Sequence, residues 1–152
     1  MKIFNGKKAA EKILLDLERK IKKEKRKPTL SVISVNGDQA SDLFIKNKKK
    51  AAKKVGIKVN HYRFEKSVRE EWIIKKRKDL NTDSTVNGII VQLPLPKGFN
   101  TGKVINEINP RKDVDGFHKK TYFSSPLISA ISIALKDSTK NLKTKKIIAL
   151  VN

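Results

Sequence analysis

Short runs of β-branched residues alternate with stretches of helical periodicity along this chain, and that alternation constrains its fold more than any other feature. Residues 29–35 read TLSVISV between Pro28 and Asn36–Gly37, which is typical of a buried strand. The same reasoning predicts strands at 29–35, 57–64, 86–92 and 146–151, and helices at 6–27, 38–54, 67–80, 101–108 and 127–136. This βαβα order predicts an α/β fold with a largely parallel sheet and right-handed crossovers.

Local signals predict where the helices begin and end. Pro28 is expected to end the first helix, because the residue before a proline disfavours helical backbone angles. Gly56 is placed to close the second helix. Ser67 and Glu70 have the spacing of a capping box, which opens the third helix. The first helix has one predicted apolar face, formed by Ala10, Ile13, Leu14, Leu17 and Ile21.

The chain carries 36 Lys and Arg against 15 Asp and Glu, a formal net charge of +21. Only six of the basic residues are arginine, the residue that base readout and bidentate phosphate contacts favour. The lysines are spread over every predicted helix, and no nucleic-acid-binding motif is present. We therefore do not predict specific nucleic-acid binding, although the charge attracts anionic ligands over long range.

Several classes of protein are excluded by what the sequence lacks. Without cysteine there is no disulfide scaffold, and His61 and His118 have no partners at metal-ligand spacing, so no metal is predicted. No apolar run approaches the roughly 20 residues of a membrane span, and the N-terminus has no signal-peptide core. We expect a cytoplasmic protein that has no contact with a membrane.

Ligands of open α/β sheets bind beyond the carboxyl ends of the strands, which directs attention to residues 37–50, 92–96 and 113–117. Phe44 and Lys48 are four residues apart and share a helix face. They could form the wall and the acid/base of a small-molecule pocket, since an apolar pocket favours the neutral amine that proton transfer needs. The alternative is that Phe44 belongs to the core and Lys48 is one of many solvated lysines.

The other two segments offer polar groups next to turns. Gln92 could orient a lysine or a substrate carbonyl from the end of its strand, or it could be an ordinary turn residue. An Asp at 113–117 could accept two hydrogen bonds from an amino-substituted heterocycle, or Asp115–Gly116 could be only a turn. A metal at Asp113 and Asp115 is rejected, because the oxygen-ligand pattern of a metal loop is missing.

Together these segments resemble a known family. ASDLFIKNKKKAAKKVGI (40–57), VNGIIVQLPLP (86–96) and INPRKDVDGF (108–117) are similar to the signatures of methylenetetrahydrofolate dehydrogenase/cyclohydrolases of the FolD type, and KIFNGKKAAEKI (2–13) fits the family's N-terminus. The resemblance implies an enzyme of one-carbon metabolism that supplies purine biosynthesis. Such an enzyme oxidises 5,10-methylenetetrahydrofolate with NADP and hydrolyses the methenyl product to 10-formyltetrahydrofolate.

The resemblance also implies roles for individual residues. Lys48 matches the general acid/base, Gln92 the glutamine that holds this lysine, and Asp115 the carboxylate that binds the pterin ring. Phe44 stands where the family has tyrosine, so a ring remains to stack on the folate but the hydroxyl is lost. The implied substrate-binding residues are Ser41, Phe44, Lys48, Val91, Gln92, Leu93, Pro94 and Asp115.

The resemblance further implies how the chain is organised. Residues 1–122 match the catalytic domain, and 123–152 match a connecting helix and the first strand of the Rossmann-like NAD(P)-binding domain, the rest of which is absent. Because that part is absent, we assign no cofactor-binding residue here. We also expect the apolar surface that it would cover to be exposed. The family implies a homodimer that binds tetrahydrofolate. Three alternatives stay open: a second chain that supplies the cofactor domain, an inactive remnant, or a basic nucleic-acid-binding protein.

Overall fold

The computed structural model describes residues 3–35 and 39–138, so the strand predicted at 146–151 lies outside the described residues. Within them helices and strands alternate as expected. The strands are β1 (Thr29–Val35), β2 (Lys58–Phe64) and β3 (Gly88–Val91). The helices are α1 (Gly6–Lys23), α2 (Gln39–Val55), α3 (Glu70–Thr82), α4 (Thr101–Ile105) and α5 (Pro126–Ser138).

The three strands form a parallel sheet in the order β2-β1-β3. In its centre, Ile33 of β1 is paired with Tyr62 on one side and Val91 on the other. Six of the seven residues of β1 are buried, as the apolar run between two turn signals predicts. An isolated parallel bridge between Ile89 and Asp113 extends the sheet beyond β3. The predicted α/β fold with a parallel sheet is confirmed.

Helices cover both faces of the sheet. On one face Ile33 packs in a cluster with Ile73 of α3 and Val104 of α4. On the other face Val32 packs with Ile45 of α2 and with Ile90. Successive strand residues point to opposite faces, so this arrangement sandwiches β1 between α2 on one side and α3 with α4 on the other. Each core is built largely from the β-branched residues that marked the strands in the sequence.

Three predicted helix boundaries are wrong by three or more residues. Helix α1 ends at Lys23, four residues before the position next to Pro28, and the amine of Lys27 folds back to donate to the Ile21 carbonyl. Helix α3 begins at Glu70, and Ser67 is not its cap. The Glu70 carboxylate accepts instead from the backbone N–H of Asn100, so a tertiary contact has replaced the local capping box. Helix α4 ends at Ile105, three residues early.

Apolar side chains stay exposed on several of the described helices, including α1 and α5. Ile21 is the buried residue of α1, whereas Ile13 on the same predicted face is half exposed. None of the residues of α5 is buried, and its Leu127, Ile128 and Ile131 are all more than half exposed. Of the helices described, none combines the length and apolar character needed to cross a membrane.

Candidate active site

The carboxyl edge of the sheet opens into a cavity of about 490 Å³. Helix α2, the end of β3 and the turn at 113–117 all contribute to its wall, so the structure brings together the three segments that the sequence singled out. Parallel strands end at one edge of a sheet, and this explains the convergence. The residues that line the cavity are Phe44, Lys48, Val91, Gln92, Leu93, Asp115, Phe117, Ser125, Pro126 and Leu127.

Lys48 and Gln92 are joined by a hydrogen bond in the wall of this cavity. The amine of Lys48 donates to Gln92 Oε1 at 3.0 Å, across 44 positions of sequence. The Gln92 amide nitrogen donates to the Leu93 carbonyl at 2.9 Å, which fixes Oε1 toward the lysine. The backbone N–H of Gln92 donates to the Ile33 carbonyl at 2.8 Å, so the glutamine is anchored to the central strand. A protonated lysine side chain has three N–H donors, and this bond occupies one of them.

Ser41 supports the segment after β3 from helix α2. Its side chain is buried, and its hydroxyl donates to the Leu93 carbonyl at 3.2 Å. The Leu93–Pro94 peptide bond is cis, and Pro94 is exposed. Neither Ser41 nor Pro94 is among the residues that line the cavity. The structure therefore places Ser41 behind the wall and Pro94 beside it, whereas the other six predicted substrate-binding residues lie on the wall.

Asp115 reaches the cavity from the turn after the Ile89–Asp113 bridge. Burial raises the pKa of its carboxyl above the usual value of 3.8, and the negative charge of Asp113 adds to that rise. The positive charge of Lys48 acts in the opposite direction and lowers the pKa. Asp115 thus shares an electrostatic environment with Lys48, and its protonation changes at a higher pH than that of an ordinary aspartate.

Two phenyl rings supply much of the apolar wall. Phe44 is 60% exposed and Phe117 is 52% exposed, yet both line the cavity. The alternative in which Phe44 belongs to the core is therefore wrong. Two apolar rings at the mouth of a concave site offer stacking surface to a flat, conjugated ligand.

Sequence reasoning missed four of the lining residues. Phe117 directly follows the Asp115–Gly116 turn, and its position next to a candidate ligand-binding carboxylate was the available signal. Ser125, Pro126 and Leu127 lie at the start of the last predicted helix, where nothing in the sequence indicated a ligand site. These residues lie next to a turn nearly ten residues earlier in the chain, and no local sequence pattern predicts such a contact.

Gly116 explains why that later segment reaches the cavity. Its φ of +70° lies in the left-handed region, which favours glycine. A Cβ at this position would lie 2.8 Å from the Ser125 nitrogen and 2.9 Å from the Phe123 oxygen. The missing side chain therefore lets the backbone at 123–125 pack directly against the turn that carries Asp115.

The two histidines lie apart from one another and make separate contacts. His61 is within 2.8 Å of both the Ser34 hydroxyl and the Lys49 amine. Burial and the charge of Lys49 lower the pKa of His61 below 6.5, and Arg63 adds to this effect. Nδ1 of His118 accepts from the backbone N–H of Lys120. Within residues 3–35 and 39–138, no three His, Cys, Asp or Glu side chains are grouped as a metal site would need.

Comparison with known proteins identifies relatives of this fold and site. A family model for the catalytic domain of tetrahydrofolate dehydrogenase/cyclohydrolase matches residues 4–115. The bifunctional protein FolD of Hydrogenobaculum sp. is 39% identical over 158 residues, which cover 97% of this chain and 57% of the relative. FolD of Aquifex aeolicus is 42% identical over 120 residues, covering 76% of this chain and 41% of the relative. The chain thus spans about half the length of these relatives.

Solved structures agree with these matches. FolD methylenetetrahydrofolate dehydrogenase/cyclohydrolase of Campylobacter jejuni has a TM-score of 0.82 at 30% identity, over 88% of this chain and 52% of that one. The bifunctional enzyme of Thermoplasma acidophilum has a TM-score of 0.84 at 25% identity, over 90% and 53%. FolD of Trypanosoma brucei, complexed with NADP and an inhibitor, has a TM-score of 0.71 at 26% identity, over 75% and 40%.

Proposed function

Since the chain belongs to the tetrahydrofolate dehydrogenase/cyclohydrolase family, we propose that its cavity binds a reduced folate and hydrolyses 5,10-methenyltetrahydrofolate. The observation that carries this proposal is the 3.0 Å hydrogen bond between Lys48 and Gln92 in the wall of a cavity that also holds Asp115. It combines a proton-transfer group, a fixed acceptor for that group and a carboxyl for the ligand. The product is 10-formyltetrahydrofolate.

The hydrolysis needs proton transfers at two sites. Water adds to the methenyl carbon that bridges N5 and N10, and it gives up a proton. The bond from that carbon to N5 then breaks and N5 takes up a proton. The hydroxyl left on the carbon loses its remaining proton, and the carbon stays on N10 as a formyl group. The substrate is a cation, so one proton is released overall. Lys48 is the group we assign to these transfers, and Gln92 holds its amine toward the bridging carbon.

Binding of the folate is assigned to the other residues of the wall. The Asp115 carboxylate accepts from the amino-substituted edge of the pterin, where two N–H donors match its two oxygens. Phe44 and Phe117 stack on the conjugated rings, and Val91 and Leu93 complete the apolar surface. Ser41 acts through Leu93, because its hydroxyl holds the Leu93 carbonyl from behind the wall. We also propose that Pro94, which lies beside the cavity wall, is one of the substrate-binding residues.

The dehydrogenase reaction of the family has a requirement that hydrolysis does not have. It needs a nicotinamide acceptor held against the folate, and the Trypanosoma brucei relative is complexed with NADP. The fingerprint of a Rossmann dinucleotide site is a Gly-x-Gly turn that opens a helix, and the seven glycines of this sequence nowhere stand two positions apart. The residues present do not fit the cofactor, so we derive no oxidation step from them. A second chain that carries the nucleotide domain remains part of the proposal.

The proposal also includes the domain boundaries, the cellular compartment and the oligomeric state. We keep residues 1–122 as the catalytic unit and 123–152 as the connection, although Ser125, Pro126 and Leu127 also line the cavity. We place the reaction in cytoplasmic one-carbon metabolism and expect a homodimer. Sedimentation of the purified chain tests the oligomeric state.

The test is hydrolysis of 5,10-methenyltetrahydrofolate by the purified chain, measured against the spontaneous rate. We expect a rate above the spontaneous one that Lys48→Met abolishes. Lys46→Met, an exposed lysine on the same helix, is the matched control and should leave the rate unchanged. No rate above the spontaneous one in the native chain, or the same rate in both variants, would refute the proposed activity. Folate binding without turnover would indicate an inactive folate-binding protein.

A further inference from the structure

Asp113 is a fully buried carboxylate that does not line the cavity. Its backbone forms the bridge to Ile89 and so joins the edge of β3. The cavity is lined instead by Asp115, two residues further on. A buried charge that touches no ligand needs a structural or electrostatic reason for its presence.

The hydrogen bonds of Asp113 close the turn that carries Asp115. Oδ2 accepts from the backbone N–H of His118 at 2.8 Å. The main-chain carbonyl of Asp113 accepts from the N–H of Gly116 at 3.2 Å and from the Thr121 hydroxyl at 3.2 Å. Three residues that follow Asp115 are therefore tied back to Asp113, and Asp113 is itself joined to the sheet.

From these contacts we infer that Asp113 is a positioning residue, which holds the Asp115 carboxyl at the cavity wall and keeps a negative charge behind it. The inference deepens the proposed folate site, and it rests on that proposal only for the identity of the ligand. The claim that Asp113 holds Asp115 in place depends only on contacts within this chain.

The second carboxylate oxygen supports an electrostatic role. Oδ1 of Asp113 is buried and has no hydrogen-bond partner among the described residues. If Asp113 only fixed the turn, one oxygen that accepts the His118 N–H would be enough, and an uncharged side chain could supply it. The groups that act on Asp115 from around the site are Lys48 on α2 and Asp113, with opposite effects on its pKa. Removing the charge of Asp113 should therefore lower the pKa of Asp115.

The test compares three forms of the chain without ligand by NMR titration of the side-chain carboxyl of Asp115. Asp113→Asn keeps an oxygen for the His118 N–H but removes the charge, and we expect it to lower the Asp115 pKa. Thr121→Val weakens the same turn without a change of charge, and it should leave that pKa unchanged. The same Asp115 pKa in the native chain and in Asp113→Asn would overturn the electrostatic part.

Separate measurements test whether Asp113 positions Asp115. Asp113→Ala removes the acceptor as well as the charge, and we expect it to weaken tetrahydrofolate binding about tenfold, the value of one such hydrogen bond. Asp113→Asn should retain most of the affinity at neutral pH. In the native chain the His118 amide should be protected from hydrogen exchange, and exchange at the rate of an unstructured peptide would overturn the inference even if the variants fail to fold. The titration and the exchange need no folate, so a failure to bind folate contradicts the proposed function alone.

Discussion

Replacing Gly116 with alanine is expected to destabilise the chain far more than the same change at Gly98. Both glycines have positive φ, +70° and +94°. An alanine in the left-handed region costs about 1–2 kcal/mol at either position, and a smaller gain from restricting the unfolded chain offsets part of it. The two positions differ in their surroundings, and this difference makes Gly98 a matched control.

The contacts of a new Cβ decide the magnitude. At Gly98 a Cβ would meet nothing within 4 Å. At Gly116 it would lie 2.8 Å from the Ser125 nitrogen and 2.9 Å from the Phe123 oxygen, which are backbone atoms. Separating two backbone segments adds about 1–3 kcal/mol of overpacking. We expect a loss of about 3 kcal/mol for Gly116→Ala and about 1 kcal/mol for Gly98→Ala.

Urea unfolding measures this difference through the midpoint, with the m-value expected to stay constant. Because Ser125 lines the cavity, Gly116→Ala should also weaken folate binding, whereas Gly98→Ala should not. Equal midpoints for the two variants would refute the reasoning from close backbone packing.

Three further predictions concern other parts of the molecule. Phe44→Tyr restores the family's hydroxyl at the cavity mouth and should raise the methenyltetrahydrofolate hydrolysis rate without lowering the urea midpoint; an unchanged rate would show that the hydroxyl does not limit turnover. Lys112→Met removes an amine that donates to the carbonyls of Leu80, Asn81 and Asp83 at 2.9, 2.8 and 2.7 Å, and it should cost about 2 kcal/mol in urea unfolding. A variant as stable as the native chain would contradict this capping role. The pKa of His61 is lowered in the folded chain, chiefly by burial, so the unfolded chain binds more protons and stability should fall as the pH drops below 6.5. His61→Asn should flatten this part of the stability profile, and an unchanged slope would place its cause elsewhere.

Much of the fold is predictable because local signals agree with the tertiary structure. The bounds of β1 match the prediction at both ends, since a β-branched run, a preceding proline and a following turn all indicate the same element. The convergence of Lys48 and Gln92 follows from the parallel sheet, whose strands end at one edge. A pattern of strand and helix thus predicts which distant segments meet, without predicting their side-chain contacts.

The wrong predictions have a tertiary cause. Ser67 and Glu70 have the correct spacing for a cap, but the Glu70 carboxylate is taken by the Asn100 N–H from another part of the chain. Arg77 looks like one more surface charge, yet it is 1% exposed and donates to Glu107 and to the Lys103 carbonyl. Neither partner is near in sequence, so no local pattern could reveal these contacts.

The central claim is that tetrahydrofolate binds in the cavity of Lys48, Gln92 and Asp115, and an NMR titration of the labelled chain tests it most directly. Tetrahydrofolate should shift the backbone signals of the cavity residues and the segments that carry them. The matched comparison is a second concave surface, lined by Lys27, Lys49, Lys53 and Lys58, to which charge alone would draw an anionic ligand. Shifts confined to the cavity are the predicted result. Shifts at the lysine surface instead, or none at all, would contradict the claim.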